Sequence, residues 1–171
     1  MSFTRSLRNE LVKMELDTRE DAELLEDPEQ SIRYKRGLKE AVLGEICDLF
    51  EAAGAVSNRS KLLTDLVNRE KKASTALGKG LAIPHVRTMQ AKAFTGAVLR
   101  SPPGIWFDAP DGEKVRVFFA IVAPPYDDQE YLKIYKALGK AMTEYPEMIE
   151  KILEAESQAE VVRAIKFYLG G

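Results

Sequence analysis

The residues of this chain that could do chemistry concentrate between Arg69 and His85. That stretch holds the only histidine, an arginine at its start, the hydroxyls of Ser74 and Thr75, and the glycines Gly78 and Gly80. An arginine pairs with a phosphate, hydroxyls donate to it, and glycines let backbone N–H groups come close. An imidazole titrates near neutrality and forms covalent intermediates. The set points to an anion site equipped with a nucleophile. A lone histidine is more often structural or simply exposed, so its context must carry the argument. Pro84 restricts Ile83 to extended backbone, so Leu81-Ala82-Ile83 reads as the end of a buried strand. His85 then falls where the chain leaves the sheet, a position at which α/β proteins place ligand sites.

Composition narrows the alternatives. The 171 residues fit one domain with a substantial core. A net charge of −2, with Lys and Arg spread along the chain, gives no electrostatic footprint for nucleic acid or a membrane surface. No apolar run approaches the ~20 residues of a membrane span, and Met1-Ser2-Phe3-Thr4-Arg5 lacks an apolar signal region. One cysteine rules out an internal disulfide and suits a reducing cytoplasm. One histidine and one cysteine do not make a zinc cluster, and neither metal nor cofactor is expected.

The elements that must position the site follow from periodicity. Val12, Met14 and Leu16 alternate with Lys13 and Glu15 as in a short half-buried strand. Residues 17–34 turn acidic and irregular, a solvated surface segment with a helical turn at Ala22–Leu25. Leu38, Val42, Ile46, Leu49 and Ala53 share a helix face, with Cys47 toward its flank and Gly54 as the stop. Ser57 or Asn58 caps a second helix, whose stripe is Leu62, Leu63, Leu66 and Val67 and whose end near Arg69-Glu70 delivers the arginine. Phe94–Leu99 reads as a strand ending at a Pro102-Pro103-Gly104 turn. Ile105–Phe107 and Val115–Val122 flank Pro110-Asp111-Gly112 as an antiparallel hairpin. The apolar run Val117–Val122 is expected to be a central strand covered on both faces. Phe107 reads as core, and Trp106 as either core or a docking residue. Asp127 or Asp128 caps a helix to about Glu144 with Leu132, Tyr135, Leu138 and Met142 inward. Pro146 suits the first turn of another helix carrying Ile149, Ile152 and Leu153. Ser157-Gln158-Ala159-Glu160 is a capping box for a last helix burying Val161, Val162, Ile165 and Leu169. Strands and helices interspersed in this way give a three-layer α/β/α fold around a mixed sheet of four to five strands.

Arg69-Glu70, Ser74-Thr75, Gly78, Gly80 and Ala82-Ile83-Pro84-His85 together resemble the phosphohistidine signature of type-2 enzyme IIA. This is the fructose/mannitol class of the phosphoenolpyruvate-dependent sugar phosphotransferase system, which includes nitrogen-regulatory IIA proteins. Gly104-Ile105-Trp106-Phe107-Asp108, Asp111-Gly112 and the strand ending in Ala123-Pro124 extend the resemblance, which covers about residues 35–169. Against that family, residues 17–34 look like an insertion between the first strand and the first helix, within a single domain spanning 1–171.

The resemblance implies the same α/β/α fold and a phosphoryl relay. A phosphocarrier protein would phosphorylate His85, and the group would pass to a cysteine of a IIB partner or act as a signal toward a regulatory target. Arg69 would neutralise phosphate oxygens and Thr75 would donate a hydrogen bond. Gly78 and Gly80 would shape the backbone around the phosphate, with Ser74 as a further contact. Lys79 and Arg87, though near in sequence, read as solvated. Two positions depart from the family. Val86 stands where a very small residue is usual, and Tyr131, before Leu132, stands where many members have a second histidine. The Tyr131 phenol would take a catalytic part by donating a hydrogen bond to a phosphate or to His85, but with an unperturbed pKa of ~10 it neither carries positive charge nor serves readily as a base. A slower or more selective phosphoacceptor is expected, and with it nitrogen-type regulation over sugar transport. The competing readings are a IIA-like regulator that is never phosphorylated and acts by binding alone, and a hydrolase using His85 as base. The hydrolase reading lacks a serine or cysteine nucleophile in a recognisable context.

Overall fold

Val115–Ala123 (β6) is the strand on which the others assemble, in a computed structural model that describes residues 2–127 and 129–170. Every residue from Val117 to Val122 is at most 1% exposed, so the apolar run is indeed sandwiched. Thr95–Ile105 (β5) pairs antiparallel along one edge of β6, and Val12–Lys13 (β1) runs parallel outside β5. Along the other edge, Leu81–Ala82 (β3) and then His85–Arg87 (β4) lie parallel to β6, with Ala76–Gly78 (β2) antiparallel outside β3. The described residues thus form six strands rather than four to five. The additional short ones, β2 and β4, are too brief to show a period-2 pattern.

Successive side chains of a strand point to opposite faces, and two contacts identify what covers each face of β6. Phe119 meets Phe3 of Ser2–Ser6 (α1), ring centroids 5.7 Å apart. Phe118 meets Phe107 edge-on at 5.1 Å, and Lys39 of Ser31–Ala52 (α3) lies over the Phe107 ring. Ala22–Glu26 (α2) and Arg59–Lys72 (α4) pack on α3. On the α1 side lie Glu130–Glu144 (α5), Met148–Glu154 (α6) and Gln158–Leu169 (α7). The result is the three-layer α/β/α arrangement expected. No helix among the described residues is long and apolar enough to cross a membrane.

Several boundaries fall as expected. Gly54 follows α3 with φ 72°, the Asn58 side chain caps α4 through the Lys61 N–H, and Ser157 caps α7 through the Glu160 N–H. Others differ, each for a local reason. The Pro102-Pro103-Gly104 stretch is not a turn: β5 continues through it with a register shift between Arg100 and Ile105. Gly104 fits there because a Cβ would lie 2.8 Å from that of Lys114 and its φ is 82°. Helix α3 starts at Ser31, before its apolar face begins at Leu38, because none of its opening residues from Ser31 to Gly37 is buried. The acidic segment is therefore partly helical, and it is docked. Asp17 and Thr18 N–H groups donate to Glu45 at 2.8 Å each, while Glu20 accepts from the Trp106 amide and from Lys114. Cys47 is not on the flank of α3 but fully buried. Helix α6 begins at Met148, so Pro146 precedes its cap instead of lying in its first turn.

The change that matters most is in α5. Gln129 occupies its cap position without a side-chain bond, Asp127 does not cap it, and Asp128 lies outside the described residues. Leu132 and Tyr135 are exposed, and Ile134, Leu138 and Ala141 form the buried stripe instead. Tyr131, three residues before Ile134, shares that stripe.

Candidate functional site

Asp65, Asn68, Arg69 and Lys72 occupy positions i, i+3, i+4 and i+7 of α4, which places them on one face. After α4 the backbone extends at Ala73 (φ −166°) and enters β2. Gly78, Lys79 and Gly80 all have positive φ, so the β2–β3 connection is a tight turn that two glycines make affordable. The Asp111 carboxylate fixes it, accepting from the Lys79 N–H at 2.8 Å. That bond and the Glu113 amide hold the Asp111 carboxyl below its usual range.

Between β3 and β4 the chain keeps its parallel course along β6, and Pro84 suits the junction because it need offer no N–H there. Ile83 N–H turns to the Thr75 carbonyl (2.9 Å), while Pro84 C=O accepts from Ile121 N–H (2.9 Å). His85 therefore does not stand where the chain leaves the sheet. It is the first residue of a further strand, in register with Ile121.

The His85 ring is held on two sides. Nδ1 lies 2.7 Å from the Ile83 carbonyl oxygen. A carbonyl only accepts, so Nδ1 carries the proton and Nε2 of the neutral ring bears the lone pair. Tyr131 of α5 stacks on the imidazole, centroids 4.8 Å apart and planes 16° from parallel. Burial lowers the imidazole pKa below its ordinary value, and the positive charge of Arg69 lowers it further, against the opposing effects of the Ile83 hydrogen bond and the Glu70 charge. At neutral pH the ring is uncharged, with the Nε2 lone pair available.

A pocket of about 630 Å³ opens beside it, walled by Arg69, Lys72 and Asp65 of α4, His85 and Arg87 of β4, and Tyr131. Arg69 donates one bond to the Ala73 carbonyl at 2.9 Å, which satisfies the end of α4 and fixes the guanidinium at the pocket wall. Asp65 accepts from the Thr88 hydroxyl at 2.5 Å, so this carboxylate is tied to the wall. Val86, half-buried, also lines the pocket. The arrangement offers a neutral imidazole nitrogen beside the cations of Arg69, Lys72 and Arg87, the requirements for receiving a phosphoryl group.

Of the residues singled out from sequence, the structure brings His85, Arg69 and Tyr131 together. The other four are engaged elsewhere and are not among the residues lining the pocket. Thr75 is buried and its hydroxyl donates to Glu70 at 2.5 Å. Ser74 donates to the Phe107 carbonyl at 3.0 Å. Gly78 and Gly80 serve the β2–β3 turn. Lys79 is exposed at that turn, whereas exposed Arg87 contributes to the pocket. Sequence reasoning missed Asp65, Asn68 and Lys72, although their helical spacing to Arg69 was a readable signal. Trp106 is half-buried against the core, with Lys35 5.1 Å over its ring.

Comparison with known proteins identifies relatives of this chain and of its fold. The chain is 37% identical over 131 residues to the PTS system fructose-specific EIIA component of Haloferax volcanii, covering 77% of this chain and 84% of that protein. It superposes on the crystal structure of nitrogen regulatory protein IIA-Ntr from Neisseria meningitidis with a TM-score of 0.76 at 25% identity, over 95% of this chain and 97% of that one. The fold also matches the mannitol enzyme IIA of Escherichia coli, solved in complex with phosphorylated enzyme IIB. There the TM-score is 0.69 at 18% identity, over 94% and 97% of the two chains. The family model for the phosphoenolpyruvate-dependent sugar phosphotransferase system, EIIA 2, matches residues 28–168, and the chain belongs to that family.

Proposed function

We propose that His85 Nε2 accepts a phosphoryl group from a phosphocarrier protein and either passes it to a cysteine of a IIB partner or carries it as a regulatory signal. One observation carries the reading. The Nδ1–H bond to Ile83 leaves Nε2 as the nucleophilic nitrogen, in a pocket that Arg69 also lines. Bond formation from Nε2 to phosphorus breaks the donor's bond to phosphorus, and the cations disperse charge on the phosphoryl oxygens. On discharge, a thiolate sulfur bonds to phosphorus and the N–P bond breaks. The protein supplies alignment and electrostatics, which is most of what such transfers require.

Whether the relay ends in sugar delivery or in regulation is a separate matter, because the relatives include both kinds. Tyr131 supports the regulatory outcome, since an uncharged ring against His85 suits a transfer that is slower and more selective than one with a second histidine.

The test is incubation with phosphoenolpyruvate, enzyme I and the phosphocarrier protein, followed by mapping of the modified residue. An acid-labile, base-stable phosphoryl group that disappears in His85→Ala is the expected result. A wild-type protein that stays unlabelled would leave the binding-only regulator as the better reading.

A further inference from the structure

Thr75 has a different partner from the one expected, and that partner leads back to His85. Its amide and hydroxyl both donate to the Glu70 carboxylate, at 2.6 and 2.5 Å. Its carbonyl accepts from the Ile83 N–H at 2.9 Å, and the Ile83 carbonyl accepts from His85 Nδ1–H at 2.7 Å. Along this path every N–H points toward Glu70 and every C=O toward the imidazole. Glu70 is 7% exposed and follows Arg69 on α4, so the helix aims one residue at the pocket and the next at the interior. A buried carboxylate is costly unless its oxygens are satisfied, and here Lys39 of α3 supplies a further donor at 3.3 Å.

We propose that Glu70 is a positioning residue for phosphoryl transfer. It is a fixed negative charge that, through Thr75 and Ile83, holds the His85 Nδ1 proton and stabilises the positive charge the ring gains when Nε2 is phosphorylated. This rests on His85 being the phosphoacceptor. When the N–P bond forms and the donor's bond to phosphorus breaks, Nδ1 keeps its proton and the imidazole becomes cationic. That charge develops at the nitrogen facing the Ile83 carbonyl, at the end of dipoles already aligned by the carboxylate, so no reorganisation is needed. Discharge to a thiolate breaks the N–P bond and returns the ring to neutrality. Tyr131 of α5 stacks on the imidazole, and the other titratable or charged groups lining its pocket are Arg69, Lys72 and Asp65 of α4 and Arg87 of β4. Lys39 faces Glu70. Of these, Glu70 is joined to Nδ1 by a chain of hydrogen bonds.

Because the chain has a single histidine, its titration can be followed by NMR without ambiguity in the unphosphorylated protein. Glu70→Gln is expected to lower the midpoint of that titration and to slow phosphorylation by at least about tenfold. Lys39→Met, which leaves the carboxylate uncompensated, is expected to raise the midpoint. Opposite signs from two neighbouring changes are not what a merely structural network produces. A folded Glu70→Gln protein with an unmoved midpoint and the wild-type transfer rate overturns the proposal. Should that variant fail to fold, an unmoved midpoint in Lys39→Met does so instead. If wild type itself is not labelled by the carrier, the phosphoacceptor reading has failed, whereas the titration still reports whether Glu70 acts on the ring.

Discussion

Tyr131 offers the sharpest test of how the site works, because it is its ring that the structure sets against the imidazole. The ring is stacked 4.8 Å from the imidazole, 16° from parallel. An aromatic pair of this kind contributes about 0.5–1.5 kcal/mol beyond the area it buries. If that energy serves to keep Nε2 aimed into the pocket, losing it in Tyr131→Ala slows transfer roughly two- to twelvefold, since about 1.4 kcal/mol is a factor of ten. Alanine also admits water to the face of His85. Burial is the largest cause of the depressed imidazole pKa, so the midpoint of the pH–rate profile should rise toward an ordinary histidine value. Tyr131→Phe keeps the ring and is expected to stay within about twofold of wild type in rate with an unchanged midpoint. Tyr131→His adds a second titrating ring, whose protonation at low pH would further depress that of His85. The assay is single-turnover transfer from labelled phosphocarrier across pH, with thermal melts confirming that each variant is folded. A phenylalanine variant as slow as the alanine variant would refute the stacking account and assign the effect to the hydroxyl.

Arg69→Ala should cut the transfer rate about 10²-fold, with Arg69→Lys only partly restoring it, because a point charge does not reproduce the guanidinium fork; single-turnover rates decide. Gly78→Ala puts a Cβ 3.0 Å from the Asp111 carboxylate at a φ of 94°. It should cost about 1–2 kcal/mol in denaturant titrations, yet leave the transfer rate of the folded fraction unchanged, as fits a turn glycine and not a phosphate-binding one. His85 has a folded-state pKa below its unfolded value of about 6.5, so below that pH the unfolded chain takes up a proton that the folded one refuses. Its contribution to stability is complete above this value and declines as pH falls toward the folded pKa. In His85→Gln that component of the pH dependence of urea unfolding should vanish. Burial pushes the Cys47 thiol up to about 12 from 9.0. Stability should therefore fall as pH rises above 9.0, and the thiol should resist alkylating reagents until the protein unfolds.

What the sequence disclosed depended on whether burial alone dictates the pattern. In β6, α4 and α7 the apolar positions are those the sheet or the opposing helix covers, so their spacing predicts both element and face. The short strands β2 and β4 have no such signature, because they exist by pairing with β6 and its neighbour β3, and no local pattern encodes that. In α5 two apolar stripes overlap in sequence, Leu132-Tyr135-Leu138-Met142 and Ile134-Leu138-Ala141, and tertiary packing selects the second. That choice is also what turns Tyr131 toward His85. The same distinction governs the site. The motif located the histidine and the arginine that line the pocket together, because both must reach it whatever the backbone does. It did not assign the hydroxyls and glycines, since a short polar side chain bonds to whatever backbone lies nearest. Thr75 is the instructive case: it reads as a phosphate donor until Glu70 is seen beside it. An Arg-Glu pair at the end of a helix sends its two charges in different directions, because adjacent residues there never share a face. The adjacency visible in the sequence is thus a separation in space: Arg69 lines the pocket, whereas Glu70 is turned inward to Thr75, just before β2.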